Sequence, residues 1–138
     1  MNITWLKKHD ACPEGIQYWK DCGCPQLKEF TECCIRDKTH DYALWVMLNL
    51  MDEVQREQIL TYAKKLTKDS KSNVRKVYAN LGHIKVNDIC ATIDFLCIVK
   101  DVVPMRFVEK TDPTGYYNFS WYNKILGMGL KMVGEKNE

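Results

Sequence analysis

Proline and glycine are scarce, at 4 and 7 of 138 residues, which excludes collagen-like and low-complexity chains. No stretch reaches the roughly 18 consecutive apolar residues that a membrane helix needs. The opening residues, MNITWLKKHDACPEG, hold no apolar run long enough for a signal-peptide core. The expectation is therefore a cytoplasmic protein, neither secreted nor membrane-embedded. An excess of one charge is also missing. Twenty Lys and Arg stand against 18 Asp and Glu, a net +2, too balanced for the whole molecule to be built around a polyanion. Paired carboxylates, a glycine-rich phosphate loop, a serine nucleophile elbow and an HExxH pair are all absent, so hydrolase, nucleotide-binding and zincin readings have no starting point. No internal repeat or linker divides the chain, and residues 1–138 are expected to form one domain.

What the sequence does have is apolar residues at helical spacing. The composition is 46% hydrophobic and 28% charged, ordinary for a globular protein with a core of its own. Asp10 before Ala11-Cys12-Pro13-Glu14 reads as a capping carboxylate with proline in the first turn, and Gly23 as a stop, predicting a helix over 10–22. Pro25 opens a second helix carrying Leu27, Phe30 and Cys34, which ends at the charged Arg36-Asp37-Lys38. The run Tyr42 to Leu48, lacking alternation, predicts a helix buried nearly all round over 41–51, the centre of the core. Asp52 caps a helix over 52–67 with Ile59, Ala63 and Leu66 inward. Val74, Val77, Tyr78 and Leu81 predict a helix over 73–81, and Ile89, Ile93 and Leu96 another over 87–101. Pro104 stops that helix. Asp112-Pro113-Thr114-Gly115 fits a type I turn, which allows a small hairpin within 105–119. The expected fold is thus mainly α, a compact bundle of about six to seven short helices with that hairpin as its one β element.

The last segment carries two apolar stripes, Phe119-Tyr122-Leu126-Leu130-Val133 and Trp121-Ile125-Met128-Met132. One helix face cannot hold both. Either the helix is buried centrally, or Trp121, Ile125, Met128 and Met132 meet a partner, with a second copy of the chain as one candidate. Gly134 to Glu138 is expected to fray.

Candidate chemistry clusters near the N-terminus. His9, Cys12, Cys22, Cys24, Cys33, Cys34 and His40 fall within 32 residues and are ligand types that zinc prefers. Cys22-Gly23-Cys24, however, is too tight for a zinc knuckle. The expected role of the seven cysteines is core filling, with no metal and no cofactor. Cys12, three residues after His9 in a first helical turn, is the one candidate nucleophile. Asp94 interrupts an apolar run and is a candidate functional carboxylate, although such a residue more often faces water. Between residues 64 and 85, Lys64, Lys65, Lys68, Lys71, Arg75, Lys76 and Lys85 meet a single acid, Asp69. Phosphates of a nucleic acid are the natural partner of such a segment.

Ala11-Cys12, Trp19, Phe30, Cys33 or Cys34, and then Asp41, Tyr42 and Trp45 together resemble a helical module of small phage and prophage proteins. The same module resembles one in immunity proteins of bacterial toxin systems. In those chains an Ala-Cys pair opens a Trp-bearing helix, and a helix with an aromatic residue and Cys leads into Asp-aromatic-x-x-Trp. Here Tyr42 stands where Trp is commoner, and Ile35 to His40 lengthens the connection before Asp41. The resemblance covers about a third of the chain. It implies a shared packing unit and a protein that binds and inhibits a host defence or competing protein in the host cytoplasm, without catalytic residues. Nucleic-acid binding by the 64–85 segment is the alternative, and a cysteine or zinc enzyme the third reading.

Overall fold

A computed structural model describes residues 1–69, 84–85, 87–103 and 121–137. These form seven helices and no strand among the described residues: α1 (Ile3–Lys8), α2 (Pro13–Asp21), α3 (Leu27–Asp37), α4 (His40–Leu50), α5 (Glu53–Asp69), α6 (Ile89–Val102) and α7 (Trp121–Asn137). The fold is mainly α. The expected helix at 73–81 and the hairpin within 105–119 lie outside the described residues.

The helix ends follow local chemistry, not all of it where the sequence suggested. Asp10 is not the cap of α2. It ends α1 in the left-handed conformation, φ 59°, with the Ala11 amide donating to the Leu6 carbonyl at 3.0 Å and the Asp10 amide to Lys7 at 3.1 Å, a Schellman ending. The N-cap of α2 is Cys12, whose Sγ accepts from the Gly15 amide at 3.3 Å. Among the described residues glycine takes the same left-handed place only after α2, at Gly23, and α3 ends in the same way on Lys38, φ 59°. α5 opens with a reciprocal capping box. Asp52 Oδ1 accepts from the Gln55 amide at 2.8 Å, and Gln55 Oε1 accepts from the Asp52 amide at 3.2 Å. Asp88 caps α6 by accepting from the Ala91 amide at 3.0 Å. α7 continues helical through Asn137 instead of fraying from Gly134.

α4 is the axis of the core, as its unbroken apolar run requires, and it packs against α3, α6 and α7. Ala43, Leu44, Val46, Met47 and Leu48 are buried on it, and Ile59, Leu60, Ala63, Phe95, Leu96 and Val99 close around them. α7 settles the question of its two stripes. Ile125 and Met128 lie inside the core with Leu126 and Val133, and Met132 packs against it half-buried. The stripe Trp121-Ile125-Met128-Met132 is therefore inward packing at its centre and not a free partner face; Trp121 is the first residue of the helix. Gly129 allows this approach, because a Cβ there would overlap the Met47 sulfur.

The cysteines do not fill the core as expected: only Cys34 is buried, while Cys12, Cys24 and Cys90 are exposed. Burial pushes the Cys34 thiol up to about 11. Alkylation of the native protein followed by mass spectrometry is expected to modify Cys12, Cys24 and Cys90 within minutes, and Cys34 only after denaturant is added, since thiolate and access are both required. Equal labelling of Cys34 and Cys90 in the folded protein contradicts the packing of α3 against α4.

Candidate functional site

The N-terminal half of the bundle leaves a cleft of about 290 Å³ where α1, α2, α3, α4 and α6 meet. Its floor is apolar: Leu6 from α1, Phe30 from α3, Val46 from α4 and Ile93 from α6. Trp19 of α2 and Tyr42 and Trp45 of α4 add aromatic walls. Their positions follow from helical spacing, since Tyr42, Trp45 and Val46 are i, i+3 and i+4 on one face.

Each wall is held from behind. The Trp19 indole nitrogen donates to the Pro25 carbonyl at 2.9 Å, which fixes the ring with its polar atom satisfied. The Trp45 ring meets Trp5 edge-on at 5.9 Å, and Trp5 lies tilted against His9 at 4.3 Å. Tyr42 lies 5.5 Å from Tyr18, which meets Phe30 edge-on at 5.8 Å. The Tyr18 hydroxyl donates to Asp37 Oδ2 at 2.7 Å.

Two carboxylates, Asp10 and Asp41, stand on the cleft, both exposed. Neither carries a salt bridge or a side-chain hydrogen bond among the described residues. Gly15 completes the lining. A Cβ on it would stand 3.2 Å from Cys12 Sγ and 3.6 Å from a Tyr42 ring carbon, so any larger side chain would begin to fill the cleft.

The cleft brings together Ala11, Cys12, Trp19, Phe30, Asp41, Tyr42 and Trp45, residues that the sequence links only through the resemblance to phage proteins. Their apolar members read most simply as core, and the sequence has no signal that they surround open space. Gly15 was the one available clue, as a glycine in the first turn of a helix, where neither a turn nor a positive φ requires it, calls for a spatial reason.

Other candidates lie apart from the cleft or are otherwise engaged. His9 Nδ1 donates to the Trp5 carbonyl at 2.9 Å, and Cys12 Sγ is occupied as an acceptor at the start of α2. No group of three or more His, Cys, Asp or Glu able to hold a metal ion occurs among the described residues. Asp94 is exposed. Of the basic segment, Lys65 and Lys68 are exposed on α5 and Lys64 is half-buried. Lys71, Arg75 and Lys76 lie outside the described residues.

Behind the Tyr18 ring, Arg36 Nε and a terminal guanidinium nitrogen donate to Asp37 at 3.0 Å each. The Arg36 guanidinium, with the Tyr18 hydroxyl, holds the Asp37 carboxyl down at about 2. A carboxyl held below its ordinary value stabilises the fold above that ordinary value, and this contribution is lost as pH falls through the lowered one. The Asp37 carboxyl resonance is expected to titrate near pH 2, and in Tyr18→Phe and Arg36→Gln to move back toward the ordinary carboxylate range. Unchanged titration in both variants removes the assigned cause.

No helix among the described residues is long and apolar enough to cross a membrane. Comparison of the chain with protein-family models, curated proteins and solved structures finds no match.

Proposed function

We propose that this chain is a non-catalytic binding protein that recognises another protein through the aromatic cleft. In this reading it works in the cytoplasm of a host cell and blocks a host defence or competing protein, as the resemblance to small phage and prophage proteins implies. The observation that supports it is the cleft itself: an apolar floor, aromatic walls and two exposed carboxylates that are unpaired among the described residues. Tyr42, Trp45 and Ile93 stay half-buried over a buried apolar floor, and Trp and Tyr are the residues on which interface energy concentrates. The burial of Ile125 and Met128 takes support from α7 as the partner surface and favours this cleft instead. Nucleic-acid binding has less support, because Lys65 and Lys68 share α5 with exposed Glu53 and Glu57, which weakens a phosphate track.

Site-specific photocrosslinking tests the reading. A benzophenone side chain at position 14, exposed in the first turn of α2 between the lining residues Cys12 and Gly15, is expected to give a discrete covalent adduct with one protein in bacterial cells, and the same group at position 57 on α5 none. Adducts from position 57 alone place recognition elsewhere, and adducts from neither position remove protein binding by this face.

A further inference from the structure

The lining of the cleft is chemically lopsided. Among the described residues its polar contribution is dominated by two carboxylates, Asp10 and Asp41, and no lysine or arginine of theirs lines it. Lys85 borders an adjoining hollow together with Asp10 and Trp45, yet no ion pair joins it to Asp10 among the described residues. Lys38 likewise borders a neighbouring hollow with Asp41 and Tyr42, but within the cleft itself two anionic groups beside three electron-rich rings favour a cation over the apolar surface.

The local backbone keeps this arrangement against its own preferences. The left-handed C′ position that ends α1 is one that glycine fills most easily, yet Asp10 occupies it at φ 59°, which sets its carboxylate at the cleft. Gly15 stands in the first turn of α2, where a side chain would press on Cys12 and Tyr42. One position thus adds charge and the other keeps space open.

We propose that the cleft is the receptor for an arginine side chain presented by the partner protein, an inference that rests on the protein-binding reading above. A guanidinium is planar and weakly hydrated. It stacks on aromatic faces while its edge N–H groups bond carboxylates. In this cleft the plane lies against Trp45 or Tyr42, the N–H edge points to Asp41 and Asp10, and the three-carbon stem covers the floor formed by Leu6, Phe30 and Ile93. A lysine ammonium is a compact, strongly hydrated charge that gains less from the rings. The volume of about 290 Å³ suits one long side chain and falls at the lower limit for pockets that enclose a larger ligand.

The test uses the whole protein and two capped tripeptides, acetyl-Gly-Arg-Gly-amide and its neutral isostere with citrulline in place of arginine. The readout is the indole N–H resonances of Trp45 and Trp19, assigned with single Trp→Phe variants. The arginine peptide is expected to shift the Trp45 resonance saturably in the millimolar range, and the citrulline peptide to leave it unmoved. Asp41→Asn and Asp10→Asn change exposed groups and preserve the fold. Each is expected to weaken the arginine peptide about threefold to fivefold, and together they reduce it to the level of citrulline. Equal binding of both peptides, or no shift with either, overturns the proposal, as does undiminished binding by the double variant. The two readings fail separately. A partner crosslinked at position 14 whose adduct the arginine peptide cannot reduce, in a protein that keeps both Asp10 and Asp41, removes the arginine receptor and leaves protein binding standing. Saturable arginine binding without any crosslinked protein does the reverse.

Discussion

Alanine at position 129 is expected to destabilise the protein by about 1–2 kcal/mol, although alanine is the better helix former by about 1 kcal/mol. The reason is the crossing of α7 over α4. A Cβ built on Gly129 overlaps the Met47 sulfur and stands 2.7 Å from Met47 Cγ and 3.0 Å from Cε. A thioether at a surface would swing aside at little cost. Met47 cannot, since its exposure is 0% and Leu44, Leu48, Leu126 and Ile125 are buried around the same core. Moving it drives the strain into neighbours already at native density, and overpacking of this kind costs about 1–3 kcal/mol before the helix propensity is credited.

A double-mutant cycle read by urea unfolding isolates this contact. Met47→Ala alone loses about 2–5 kcal/mol through the space it leaves. In that background Gly129→Ala loses its obstacle and is expected to become neutral or stabilising, a coupling of about 1–3 kcal/mol. Additive effects in the cycle exclude the close approach of α7 to Met47. A stabilising Gly129→Ala single variant does the same more directly.

How far a sequence announces its fold depends on what each residue's neighbours in the chain can reveal. The unbroken apolar run of α4 has no polar face to give to water, so its central place follows from the residues themselves. The same holds for the inward Ile59, Ala63 and Leu66 of α5, which are buried as their spacing requires. Asp10 misled because an aspartate before Ala-Cys-Pro fits an N-cap as well as it fits the left-handed end of the previous helix. Only the six-residue α1, too short to show a clear period, decides between them. The two stripes of α7 were ambiguous for another reason: periodicity tells which residues share a face but not how many faces a helix buries. The cleft was the least legible feature. It is space left among five helices, and the rings of Trp19, Phe30, Tyr42 and Trp45 look the same in a sequence whether they fill a core or line an opening.

Phe30 separates these two roles. It is 2% exposed and belongs to the core, yet it also lines the cleft and receives the Tyr18 ring edge-on at 5.8 Å. Phe30→Ala is expected to cost about 3–5 kcal/mol, a large part of the roughly 5–15 kcal/mol that holds a domain of this size together. The urea midpoint should fall by about 1–3 M with little change in slope. The space released is continuous with the cleft and so reachable from solvent, unlike the sealed void that an alanine at Leu44 or Phe95 would leave. Indole or phenol added at millimolar concentration is therefore expected to restore part of the lost midpoint in Phe30→Ala, since a ligand that binds only the folded form stabilises it by mass action. The same additive should leave Phe95→Ala unrescued, because Phe95 is buried away from the cleft lining. Rescue of both variants alike means that the interior admits small aromatics generally. Rescue of neither means that the wall at Phe30 closes over the gap, and that the cleft adapts its shape instead of being held open by α2 and α4.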